Sequence, residues 1–218
     1  MKKILGILTM TLSVTLFGSP VRSIVGGNHI SQAVCGGGQT YDAEVAFLQS
    51  KGGACIDTGI PLNRIYGMYL EYNACGIASG IYKPIVGRGD GEFNFSTFSN
   101  RGFYMRYQGV HRFNVGEAYA ETDNVAVIKD GTCDFGFTTG TVSGPFANSN
   151  KTLSMFGVKG WRTYEVRIYH LILYDANGDA MAEYIPVRKG TEGYMYEVLS
   201  GTMMANGNTG YFQMGEDT

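Results

Sequence analysis

The chain has 218 residues, 17% of them charged and 44% hydrophobic, which is too apolar for a disordered protein and too interrupted for a bundle of membrane helices. Its formal net charge of −2 gives it no electrostatic reason to seek nucleic acid or anionic lipid. Glycines number 32, beside 15 tyrosines, 12 phenylalanines and 5 prolines. This is a strand-and-turn composition, because glycine turns the chain while aromatic side chains fill pleated surfaces.

At the start, Lys2 and Lys3 precede an apolar run from Ile4 to Phe17 and then small or turn residues, the three regions of a secretory signal peptide. The run is too short for a membrane anchor, since a bilayer core needs about 20 apolar residues. Residues 1–23 are therefore expected to be a signal peptide. Val21 and Ser23 meet the small-residue rule nearest the apolar run, and Ser31 and Ala33 meet it later. Cleavage after Ser23 removes Lys2, Lys3 and Arg22 and leaves a net charge near −5. Cys35, Cys55, Cys75 and Cys133 then enter an oxidising compartment, where an even count permits two disulfides in any of three pairings. No CxxC and no Cys/His pair at zinc spacing occurs, so neither metal nor cofactor is expected. Lipid attachment at Cys35 is disfavoured by Gln32-Ala33-Val34 before it and by its distance from the apolar run.

Residues 24–43 hold two glycine clusters without strand-length alternation and are expected to form a linker or loosely held arm. Their opening Ile24-Val25-Gly26-Gly27 resembles a serine-protease start only by chance, because no Gly-Asp-Ser-Gly context for a nucleophile follows. From Glu44 onward, runs of strand character recur at sandwich or barrel spacing. They are 44–50, 54–58, 65–73, 92–98, 102–108, 124–129, 132–138, 152–157, 163–174 and 180–187, and no window keeps a helical period.

The clearest strand is 163–175, where Tyr164, Val166, Ile168, His170, Ile172 and Tyr174 are expected on one face. Arg167, Tyr169, Leu171 and Leu173 fall on the other, as in an inner strand. Asn177-Gly178 then predicts a hairpin, because both residues tolerate positive φ. Pro186 is expected to close the returning strand, having no donor for a ladder. Past the Gly/Asn-rich tail 200–210, Tyr211-Phe212 predicts a last strand beside the first. One domain, 44–218, contains all of these.

Three blocks resemble concanavalin-A-like (LamG-like) jelly-roll domains of bacterial surface and phage structural proteins. The first, 47–67, matches the family's opening strand at Phe47, Gln49, Ser50, Ile56, Asp57, Thr58 and Gly59, and departs from it at Ala54-Cys55. The second, 86–98, is similar to the Gly-x-Arg turn and its alternating-Phe strand. The third, 167–201, is similar to the closing hairpin and the Gly-x-Tyr-Asp-x-x-Ser-Gly ending, with Glu197 where the family more often has Asp. The match spans about 45–215 and is loose over 108–150. It implies a two-sheet antiparallel β-sandwich that recognises glycans or protein surfaces.

Some members of this superfold are glycosidases, and the retaining ones need two carboxylates about 5–5.5 Å apart. The nearest text to their motif, Glu121-Thr122-Asp123-Asn124-Val125-Ala126, lacks the third carboxylate, so no general acid is available and no catalytic residue is assigned. Arg88-Gly89-Asp90 and the Asn94-Phe95-Ser96 and Asn150-Lys151-Thr152 tripeptides read as turn chemistry and chance. Sugar binding requires an aromatic platform with hydrogen-bonding neighbours. Trp161 beside Arg162, and Tyr104 and Tyr107 around Arg106, are the candidates. His111 and His170 are expected to be structural groups. The expected function is that of an exported binding module, extracellular, at the cell surface or periplasmic, whose partner is a glycan or a surface protein. The alternative is a structural or adhesive surface or appendage component acting through protein contacts, and a glycoside hydrolase with a displaced acid pair is the third, less favoured reading.

Overall fold

The computed structural model describes residues 41–75, 82–88, 92–98, 102–115, 122–136, 139–158 and 162–218, all within one unit, 37–218. The expected signal peptide, most of the 24–43 arm, Cys35, Glu121 and Trp161 lie outside the described residues.

The first half of the chain forms β1 (Ala43–Glu44), β2 (Leu48–Lys51), β3 (Ile56–Pro61), β4 (Gly67–Asn73), β5 (Tyr82–Gly87), β6 (Asn94–Phe98), β7 (Gly102–Tyr107) and β8 (Val110–Val115). Next come β9 (Asn124–Lys129), β10 (Thr132–Asp134), β11 (Thr139–Thr141), β12 (Thr152–Met155), β13 (Gly157–Val158) and β14 (Arg162–Thr163). The last are β15 (Arg167–Tyr174), β16 (Ala180–Lys189), β17 (Glu192–Glu197), β18 (Thr202–Met204) and β19 (Tyr211–Met214). A single 3-10 turn at Leu62–Arg64 is the one helical element among the described residues, and none of their helices is long and apolar enough to cross a membrane.

Two large antiparallel sheets result, with a two-stranded ladder of β13 and β14 besides, as the composition predicts for an all-β sandwich. The smaller runs β3-β12-β5-β6-β7-β8. The larger runs β11-β10-β9-β4-β15-β16-β17-β18, with β1, β2 and β19 attached to it. These three enter a fork. β4 lines one edge of β15 throughout, while the other edge pairs with β2 at Arg167 and Ile168 and with β16 from Leu171 onward. β16 takes β1 at Val187 and Arg188, and β19 lies on the far edge of β2, as Tyr211-Phe212 predicts.

Each strand points alternate side chains inward. Pairing aligns Ile56, Met155, Val86, Phe95 and Met105 in one buried row of the smaller sheet. Ala126, Leu70, Leu171 and Tyr184 make a matching buried row in the larger one. The sheets meet where Tyr72 of β4 sets its ring edge-on to Phe95 of β6, centroids 5.4 Å apart. Beside them Phe93 stacks on Phe146 at 3.9 Å. Each such ring contributes about 1.5–3 kcal/mol by leaving water.

Two expectations about the closing hairpin are corrected. The register between β15 and β4 shifts between Ile168 and His170, a bulge that reverses the phase of the strand. Ile168, Leu171 and Leu173 therefore face the core, while His170, Ile172 and Tyr174 face outward. Pro186 does not end its strand, because β16 continues to Lys189. Its carbonyl accepts Val45 N–H at 3.1 Å, and a strand residue's N–H and C=O point the same way. The missing donor therefore falls in the fork, between the last β15 partner, Tyr184, and the first β1 partner, Val187.

Residues of the 47–67 block fix the backbone of β3 and tie strands to their neighbours. Asp57 Oδ1 accepts Gly59 N–H at 3.0 Å, Thr58 Oγ1 donates to Leu153 O at 2.8 Å, and Ser50 Oγ accepts Val166 N–H at 3.1 Å. No disulfide joins any two of Cys55, Cys75 and Cys133. Two bridges among four cysteines would require at least one such pair, so the two-disulfide arrangement permitted by the count is absent from this structure.

Candidate functional site

The face of the smaller sheet that points away from the core is unlike an ordinary solvated surface. Pairing sets Asp57 (β3), Ser154 (β12), Gly87 (β5), Asn94 (β6) and Arg106 (β7) side by side in one row. At the usual strand spacing this row is about 19 Å long. A second row on the same face pairs Ser96 of β6 with Tyr104 of β7. Alternation decides the side: Phe95 and Met105 enter the core, so Asn94, Ser96, Tyr104 and Arg106 project the other way.

These polar groups are recessed and lack partners. Ser154 and Ser96 are 0% exposed and Asn94 is 4% exposed. Among the described residues, Ser154 Oγ, Ser96 Oγ and Asn94 Oδ1 nevertheless have no hydrogen-bond partner. A buried polar atom without a partner costs about 1–3 kcal/mol, so folding alone gives no reason to place three of them on one face. Gly87 preserves the arrangement, since a Cβ there would come within 3.0 Å of Asn94 Oδ1 and Asn94 Cα. Arg106 is half-buried and donates from Nε to Gly109 O at 2.9 Å. Among the described residues no carboxylate pairs with it. Glu92, which precedes β6, is engaged by Lys151 Nζ at 3.4 Å.

Of the residues that the sequence singles out, Tyr104 and Arg106 come together on this face. Tyr104 is 8% exposed, which leaves a small part of its ring to contact a ligand. Tyr107 turns the opposite way: it is 1% exposed, sets its ring edge-on to Phe93 and Phe146, and donates from its hydroxyl to Gly144 O at 2.6 Å. Both faces a stacking sugar would use lie inside the core. Arg162 belongs to β14, which pairs with β13 and runs beside β5. Trp161 is outside the described residues. Asn94, Ser96 and Ser154 escape a search for aromatic platforms, although the polar-apolar alternation of Asn94-Phe95-Ser96 carries their signal.

Other polar clusters are internally satisfied. Asp123 Oδ1 accepts from Asn73 Nδ2 at 3.0 Å and from the Tyr169 hydroxyl. His170 Nε2 meets Glu183 Oε1 at 2.9 Å on the outer face of the larger sheet. An open cleft of about 210 Å³ lies between the hairpin tips, lined by Tyr66, Lys129, Asp130, Ser143, Tyr174 and Asp175. Three of these groups have partners within the fold. Lys129 Nζ sits 4.5 Å over the Tyr174 ring, and Asp175 Oδ1 accepts Asn177 and Asp179 N–H at 2.8 and 3.1 Å. Among the described residues no cluster of three or more His, Cys, Asp or Glu can hold a metal ion.

Comparison with protein-family models, with curated proteins and with solved structures finds no match for this chain.

Proposed function

We propose that this chain is an exported, non-catalytic binding module of the concanavalin-A-like jelly-roll type that takes a saccharide on the outer face of its smaller sheet. One observation carries the reading: Ser154, Asn94 and Ser96 hold buried, unpartnered polar atoms beside Tyr104 and Arg106. Sugar hydroxyls both donate and accept, so one ring with several hydroxyls satisfies such a mixed set while its apolar edge meets an aromatic side chain. The jelly-roll type is supported by two wholly antiparallel sheets and by β19 returning to the edge of β2. The non-catalytic part of the reading rests on the missing third carboxylate of the Glu121-Thr122-Asp123 segment, and the Asp123 carboxylate accepts hydrogen bonds from Asn73 and Tyr169.

A glycan array followed by calorimetry on the best binder tests the reading. The wild type is expected to bind at least one saccharide class, and Asn94→Ala and Ser96→Val are expected each to weaken it about tenfold, the equivalent of one lost buried hydrogen bond. Binding unchanged in both variants, or no saccharide bound at all, sinks it.

A further inference from the structure

We infer that the ligand of this face is an acidic saccharide whose carboxylate is seated on Arg106, an inference that rests on the saccharide reading above. Neighbouring groups of the site ask for different chemistry. Asn94 Oδ1 is an acceptor and needs a donor from the ligand, while the hydroxyls of Ser96 and Ser154 can exchange bonds with hydroxyls. Arg106, directly opposite Asn94 in the ladder, has donors alone and carries a fixed positive charge. Its Nε is already committed to Gly109 O, which fixes the guanidinium on its own hairpin and leaves the terminal nitrogens for a ligand. Among the described residues no carboxylate neutralises it. A ligand that fits both requirements presents hydroxyl donors over β6 and β12 and an anionic acceptor over β7.

A neutral sugar meets the first requirement and leaves the guanidinium facing uncharged hydroxyls. A uronic acid meets both, because its ring hydroxyls and its carboxylate lie on one small rigid ring. Charge-assisted hydrogen bonds are roughly twice as strong as neutral ones, and a planar guanidinium matches a carboxylate better than an ammonium does.

The test uses the whole protein with trisaccharides of galacturonate, mannuronate and glucuronate, each beside its methyl ester, which keeps the hydroxyls and removes the charge. For at least one pair the acid is expected to bind about tenfold or more tightly than the ester, with a preference that shrinks as salt is raised. Arg106→Gln, checked for folding by circular dichroism, is expected to erase that preference and leave ester affinity within about twofold. Arg106→Lys should keep part of it, and Asn94→Ala should weaken acid and ester alike. Equal affinity for acid and ester in all three pairs, or a preference that survives Arg106→Gln, overturns the acidic ligand and leaves the saccharide reading standing. No binding of either form by the wild type, on the array as well as in these titrations, overturns both.

Discussion

Glu197 Oε1 accepts the backbone N–H of Glu183 at 3.0 Å, while the carbonyl of Glu183 accepts Val198 N–H at 2.7 Å. Both backbone groups of one β16 residue are thus held by the turn that leaves β17. The same carboxylate accepts Leu199 N–H at 3.1 Å and Ser200 N–H at 2.6 Å. An acid at this position of the closing block is explained by three backbone donors converging on it.

Burial alone would raise the pKa of Glu197, but the hydrogen bonds from Ser200, Glu183 and Leu199 outweigh it and hold the carboxyl below its ordinary value of 4.5. A depressed folded-state value means that the stabilisation is full above the unfolded-state value and is lost as pH falls through the folded one. Glu197→Gln should cost about 2–3 kcal/mol at pH 7. Urea unfolding from pH 7 to pH 3 should show the wild type losing more stability than the variant, and parallel pH curves would refute the assignment.

Ser96 and Ser154 invert the usual expectation for buried positions. Their hydroxyls are desolvated without a partner, so Ser96→Ala and Ser154→Ala should leave the protein as stable as the wild type or stabilise it by about 1 kcal/mol. Both should bind less saccharide. A gain in stability with a loss of affinity is the mark of polar groups retained for a ligand. Destabilisation by more than about 1 kcal/mol in both variants would point to a structural role instead.

Tyr107→Phe should do the opposite. It removes the hydroxyl bond to Gly144 O and leaves the ring packed against Phe93 and Phe146. Thermal unfolding should show a loss of about 1 kcal/mol, while saccharide affinity stays within about twofold of wild type.

Burial pushes the Cys133 thiol up to about 11, and Cys75 is also raised, mainly by burial and against the pull of Arg167. Thiolate is the reactive form, so iodoacetamide at pH 8 should label Cys133 slowly in the native protein and rapidly in urea. Peptide mass spectrometry separates the two rates, and equal rates would contradict the burial.

The sheet content and the β15–β16 hairpin were legible because long alternating runs and a turn signal coincide there. The turn itself differs from the one predicted. Tyr174 pairs with Ala180, and Gly178 takes φ 81° while Asn177 does not join it in the left-handed region. Asp175 caps the five-residue loop through its carboxylate. That is a side-chain device invisible to a two-residue turn rule. The phase of β15 was illegible because a bulge has no periodic signature. At the candidate site, Tyr104 and Arg106 were singled out as an aromatic platform beside a hydrogen-bonding group. Their partners were missed because Ser154 joins Asn94 only across β5, a neighbour relation that strand order creates and sequence distance hides.

The fork between β15 and β16 has a kinetic side. β2, at residues 48–51, is held on one edge by residues 167–168 and on the other by residues 211–214. These partners are separated by well over a hundred residues of chain, so their pairing requires large loops to close before any contact is gained. The β2 branch of the larger sheet cannot be completed until β19 has emerged, and refolding of the isolated protein should fall among the slower rates known for all-β domains. Until β19 arrives, β2 exposes an unpaired edge to any other chain nearby, which leaves the nascent protein open to mispairing there.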